Sequence, residues 1–126
     1  MKVSKASSLR ELSDSELVKQ FREATLQNVP ATEINDIKTI NHLDDYTSAI
    51  YKELRSRGRE SQNALLPLLE DDDINVRGAA ASRVVDFEPN RAIPVLKAVE
   101  STPLGRAAAS LARVALVRWE QKQAVS

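Results

Sequence analysis

The four residues Ala79-Ala80-Ala81-Ser82 return as Ala107-Ala108-Ala109-Ser110, 28 positions later (79 to 107). Each copy follows an apolar tetrapeptide with proline in second place, Leu66-Pro67-Leu68-Leu69 before the first and Ile93-Pro94-Val95-Leu96 before the second. A repeat of this length holds one pair of antiparallel helices with their turns, and periods of roughly 20–50 residues mark stacked-repeat chains. Such architectures present extended surfaces, which points to binding rather than catalysis.

The rest of the chain agrees with a helical reading. It has 126 residues, only three glycines and two phenylalanines, and much alanine. That composition favours helix over strand. Ser13 and Glu16 have capping-box spacing, which starts a helix over 14–28 with Leu17, Phe21 and Ala24 on one face and Pro30 as its stop. A long helix is expected over 32–57, with the stripe Ile34, Ile37, Ile40, Thr47, Ile50 and Leu54, and with a kink or split at the polar stretch Asn41 to Asp45. Gly58 suits a left-handed C-cap. Further helices are expected over 61–70, 74–87 (capped by Asp73), 91–100 after the breakers Pro89 and Asn90, and from Pro103 to 121, with Thr102 as the last cap. The stripe of the last helix is Leu104, Ala108, Leu111, Ala115 and Trp119. Residues 1–12 read as a flexible N-terminal tail and 13–126 as a single helical domain.

Laid together, the two C-terminal units share a proline-bearing helix, a turn that is acidic in the first copy, and arginine just before paired alanines: Val76-Arg77-Gly78-Ala79-Ala80 and Leu104-Gly105-Arg106-Ala107-Ala108. This pattern resembles HEAT-like repeats of the short variety, with the second copy degenerate. The wider chain, through Lys52-Glu53-Leu54-Arg55-Ser56-Arg57-Gly58, Ala64 to Leu69, Val76-Arg77 and Leu116-Val117-Arg118-Trp119, resembles a family of small bacterial all-helical proteins of unknown function. The resemblance implies an all-α fold, a HEAT-like right-handed stack of about six helices (an α-solenoid), and carries no functional residues.

Bulk charge and residue types restrict the function. Eighteen basic residues balance eighteen acidic ones, so no global field draws the chain to polyanions. With no cysteine there is no thiol nucleophile and no Cys-based metal site. Met1 to Ser8 has lysines without an apolar stretch behind them, and no apolar run approaches the ~20 residues that span a bilayer. The expectation is a cytoplasmic protein without membrane partner. A single histidine, no Gly-rich phosphate loop and no Gly-x-Ser-x-Gly elbow make an enzyme hard to build.

Three clusters remain. Arg77, Arg106 and Arg113 would form a basic strip on the second helices of the repeats, a docking surface for an acidic protein or, as the alternative, a phosphate backbone. The bland reading pairs Arg77 with the Asp71–Asp73 turn. Glu70 to Asp73 lacks calcium-loop spacing and suits a helix N-terminus instead. In the polar stretch Asn41, His42, Asp44 and Asp45, His42 and Asp45 are three apart and could contact the same ion, but the stretch reads more simply as a polar helix face. Trp119 reads as closing the last core layer, or as a homodimer contact through the C-terminal helix. The expected function is a non-catalytic protein-binding module of the bacterial cytoplasm, immunity- or antitoxin-like in one form, with no cofactor and no metal.

Overall fold

The structure, a computed structural model, describes residues 6–103 and 106–125, and only the backbone of Ala6, Ser7, Arg106 and Val125. The fold is all-α: six α-helices and two 3-10 helices, with no strand among the described residues. They group into two compact units, Met1–Leu65 and Leu66–Ser126.

In the first unit the capping box forms as its spacing requires. The Glu16 amide donates to Ser13 Oγ and the Ser13 amide to Glu16 Oε1, both at 3.1 Å. Helix α1, Asp14–Glu33, then buries Leu17, Phe21 and Ala24. It does not stop at Pro30. A proline forfeits its own amide bond and crowds the preceding turn. Here it sits in the last turn, where Ala31 is buried and Thr32 Oγ1 donates to the Asn28 carbonyl at 2.8 Å. Asn35, at φ 56°, makes the left-handed turn, which asparagine tolerates better than most residues.

Helix α2, Ile37–Arg57, is shorter than the expected 32–57 and starts at Asp36, whose carboxylate accepts from the Thr39 amide and hydroxyl. It runs unbroken through Asn41 to Asp45. Its buried face is Leu43, Tyr46, Ile50, Tyr51 and Leu54. Ile34 and Ile37, expected on that face, are 76% and 54% exposed. The spacing 43–46–50–54 is the helical stripe, and the isoleucines ahead of it lie beyond the length that α1 covers.

The segment read as a flexible tail contains a 3-10 helix, Ala6–Glu11, with Leu9 only 1% exposed. Arg57 holds it: Nη2 donates to the carbonyls of Leu9 and Arg10, Nη1 to Asp14 and Nε to Glu53. Gly58 follows at φ 113°, ψ 178°, not the expected left-handed helical cap but an extended conformation open only to glycine. The helix expected over 61–70 is α3, Arg59–Gln62, continuing as a 3-10 helix, Asn63–Glu70, around Pro67, which has no amide to give.

In the second unit, Asp73 Oδ1 accepts from the amides of Asn75 and Val76 and starts α4, Ile74–Val84. The chain turns over Val85 to Phe87, so α4 ends three residues before the expected 87. Pro89, read as a breaker, is the first residue of α5, Pro89–Glu100, where its missing amide is harmless. Helix α6 is Arg106–Val125; the expected start at Thr102 and Pro103 is not helical, and Leu104 and Gly105 lie outside the described residues. The core of this unit is Val76, Ala80, Ala81 and Val84 of α4, Ala92, Leu96 and Val99 of α5, and Ala108, Ala112, Ala115 and Leu116 of α6. The three helices meet at Gly78, where a Cβ would stand 3.3 Å from Val99 Cγ1 and 3.8 Å from Ala108 Cβ. The small residues of the repeat therefore serve close helix approach.

Candidate functional site

Arg77 projects from the first turn of α4. Its Nη1 donates to the carbonyls of Asp71 at 2.7 Å and Asp72 at 3.2 Å. The turn that Asp71 and Asp73 shape is thus clasped by the guanidinium through backbone oxygens, not through the carboxylates. The remaining N–H groups of Arg77 make no hydrogen bond among the described residues. Arg77 borders a groove of about 330 Å³, with the buried Leu69 and Val99 as its floor and Ile74, Pro94, Val95, Ala98 and Thr102 around it. A cation of fixed position beside an apolar trough suits an aliphatic side chain with a carboxylate next to it.

The other predicted residues are not gathered here. Arg113, 71% exposed in its side chain, donates from Nε to Glu100 at 3.4 Å and does not line the groove. The side chain of Arg106 lies outside the described residues. Asn41, His42, Asp44 and Asp45 are all exposed on α2, and Asp44 accepts from Asn28 Nδ2 at 3.0 Å. Within the acidic turn, Asp71 Oδ2 accepts from the Asp73 amide and Asp73 caps α4. No group of three or more His, Cys, Asp or Glu placed to hold a metal occurs among the described residues.

Two features of α6 escape the pattern read from sequence. Trp119 is half-buried and walls a smaller cleft of about 150 Å³ with Asp86, Pro89, Arg118 and Lys122. More telling is the orientation of the helix. It turns Ala108, Ala112, Ala115 and Leu116 inward, while Leu111, Val114 and Val117 are 42%, 51% and 45% exposed. Leu111, expected in the core stripe, belongs to this outer strip. The signal was present as two stripes, Ala108–Ala112–Ala115 and Leu111–Val114–Val117. Only the close approach at Gly78 decides which faces inward.

The groups whose titration is displaced all belong to the first unit and have local causes. The Ser61 hydroxyl, donating to Asp14 at 2.7 Å, holds that carboxyl below the ordinary aspartate range, and Arg57 adds to the effect. The Ser13 amide and hydroxyl do the same for Glu16. Glu53, and then Asp14, raise Arg57.

Residues 15–117 match the family described as a domain of unknown function (DUF2019). The chain belongs to this family. No curated protein matches it. Among solved structures, the protein RPA1889 from Rhodopseudomonas palustris CGA009 superimposes with a TM-score of 0.81 at 27% identity, over 90% of this chain and 93% of that one. The DUF2019 match takes in the whole Arg77 groove and the strip Leu111 to Val117, and ends before Trp119. No helix among the described residues is long and apolar enough to cross a membrane.

Proposed function

We propose that this chain is a non-catalytic protein-interaction module of the bacterial cytoplasm, built on HEAT-like repeats, which seats an acidic, aliphatic segment of another protein in the Arg77 groove. The groove itself carries the reading: one pre-oriented guanidinium beside an apolar floor. The aliphatic side chain supplies affinity by burial, and the carboxylate opposite Arg77 supplies selectivity. The HEAT-like description is supported by the paired prolines Pro67 and Pro94 in matching positions, and by an arginine clasping the turn before the alanine-rich helix. The bacterial setting is supported by the Rhodopseudomonas neighbour.

The test is site-directed photo-crosslinking in cell extract treated with nuclease. A photoreactive residue at Ala98, on the exposed edge of the groove, should capture a discrete protein, and Val95→Asp should abolish that capture. A photoreactive residue at Glu60 is the control. Equal yields from both positions, or capture that Val95→Asp leaves unchanged, overturn the reading. Captured nucleic acid, lost on nuclease treatment and weakening steeply with salt, would replace it with phosphate binding.

A further inference from the structure

Among the described residues, Ile34 is the most exposed large apolar side chain, at 76%, and Ile37 follows at 54%. They bracket the left-handed turn at Asn35 that joins α1 to α2, and residues 32–35 are all exposed, so the turn stands out as an apolar knuckle in water. Glu33 and Asp36 flank Ile34, and no basic residue occurs from Glu33 to Ile37. The knuckle is therefore an aliphatic side chain with a carboxylate on either side of it. That is the chemistry the Arg77 groove calls for. The lining of the groove carries one charge, and it is positive. The carboxylates of Asp71 and Asp73 are taken up by amides of the turn and of α4. The other exposed aliphatic surface does not match: Leu111, Val114 and Val117 are interleaved with Arg113 and Arg118, cations that Arg77 would repel.

We propose that the Arg77 groove takes the Ile34 knuckle of a second copy of the chain, with the isoleucine on the floor of Leu69 and Val99 and the Glu33 carboxylate against the guanidinium. This rests on the groove being a seat for an acidic, aliphatic segment, and it adds a regulation: self-association and capture of a foreign segment exclude one another. Charge selects the occupant, because a negative knuckle meets a positive rim. Knuckle and groove are unlike surfaces, so the contact is heterologous and each copy brings both halves. One turn in one groove covers less than the ~800 Å² per partner of a standard interface, so the association is weak and reversible. Salt weakens it further by screening the ion pair.

Because the two halves are separate surfaces, each can be removed alone. Ile34→Asp removes the knuckle and Val95→Asp the groove, and unchanged helical circular dichroism spectra check that both variants fold. The decisive experiment mixes them. Isotope-labelled Ile34→Asp chain, titrated with unlabelled Val95→Asp chain to about 1 mM, should show amide NMR shifts confined to Arg77, Val95, Ala98 and Thr102. With the labelling reversed, the shifts should fall on residues 33–37. Neither variant should show concentration-dependent shifts alone, whereas the wild type should show both sets. Adding Glu33→Lys to the Val95→Asp chain should weaken the mixed complex about fivefold. No shifts at 1 mM, shifts outside the groove and the knuckle, or undiminished binding with Glu33→Lys would each overturn the proposal. Failure here with a foreign protein still crosslinked at Ala98 leaves the groove as a seat for other proteins. A successful titration with nothing foreign captured at Ala98 leaves the groove to self-association alone.

Discussion

Arg57 Nη1 lies 2.9 Å from Asp14 Oδ1, and this contact joins the last turn of α2 to the first turn of α1. The same guanidinium reaches Glu53 and the carbonyls of Leu9 and Arg10, so one side chain fastens three segments of the first unit. Arg57→Met should destabilise this unit by about 1–3 kcal/mol, because the packed stem is kept while four hydrogen bonds are lost. Lysine keeps the charge without the planar fork and should fall between the two. Urea midpoints measure the loss. Faster amide exchange over 8–12 than over 43–54 in the methionine variant would show that the N-terminal 3-10 helix detaches first.

Acid should act on the same corner. Asp14 and Glu16 are both held below their ordinary values of 3.8 and 4.5 in the folded chain. Groups lowered by folding stabilise above their unfolded values and lose that contribution as pH falls through the folded ones. Stability set by these two should therefore be level from about pH 5 to 7 and decline below about pH 4. Asp14→Asn should be less stable at neutral pH and show a shallower acid decline. Parallel curves for the two proteins would remove Asp14 from the account.

Gly58 gives a cleaner backbone test. At φ 113° any L side chain is strained, yet nothing lies within 4 Å of where a Cβ would point. Gly58→Ala should lower stability by about 1–3 kcal/mol from conformation alone. A loss of that size in thermal melts, without any change in the packing signals of Tyr46 and Tyr51, would establish it.

Gly78 tests space rather than conformation. Alanine there gains about 1 kcal/mol in helix propensity, against a contact at 3.3 Å to Val99, so the net change should be small. Valine has no such latitude, and overpacking should cost about 1–3 kcal/mol. Melting temperatures of Gly78→Ala and Gly78→Val, compared with wild type, decide it.

What could be read in advance follows from where the determining contacts lie. Ser13 with Glu16, and Asp73 with the amides after it, are local, so the starts of α1 and α4 were legible to the residue. The hold of Arg77 on the 71–73 turn was legible too, apart from the acceptors being carbonyls. Ile34 and Ile37 misled because apolar spacing announces a stripe but not where the neighbouring helix ends. Pro30 and Pro89 misled in opposite directions, one continuing a helix and one beginning it, because a proline's effect depends on its place in the turn. The groove was half legible: Arg77 stood out, while Pro94, Val95 and Ala98 come to its side only when α5 packs against α4. The outward strip of α6 was hidden because two stripes of similar apolarity compete on that helix.

The alanine face of α6 has a mechanical consequence. Methyl groups make a shallow relief, so a helix resting on them is held by contact area and is weakly indexed along its own length. The notch at Gly78, which admits Ala108 and Val99, is where that index is cut. A side chain larger than a methyl group placed there, such as valine, would act as a shim. It would offset α6 along its axis and carry every outward residue, Leu111 through Val117, out of step with whatever they meet.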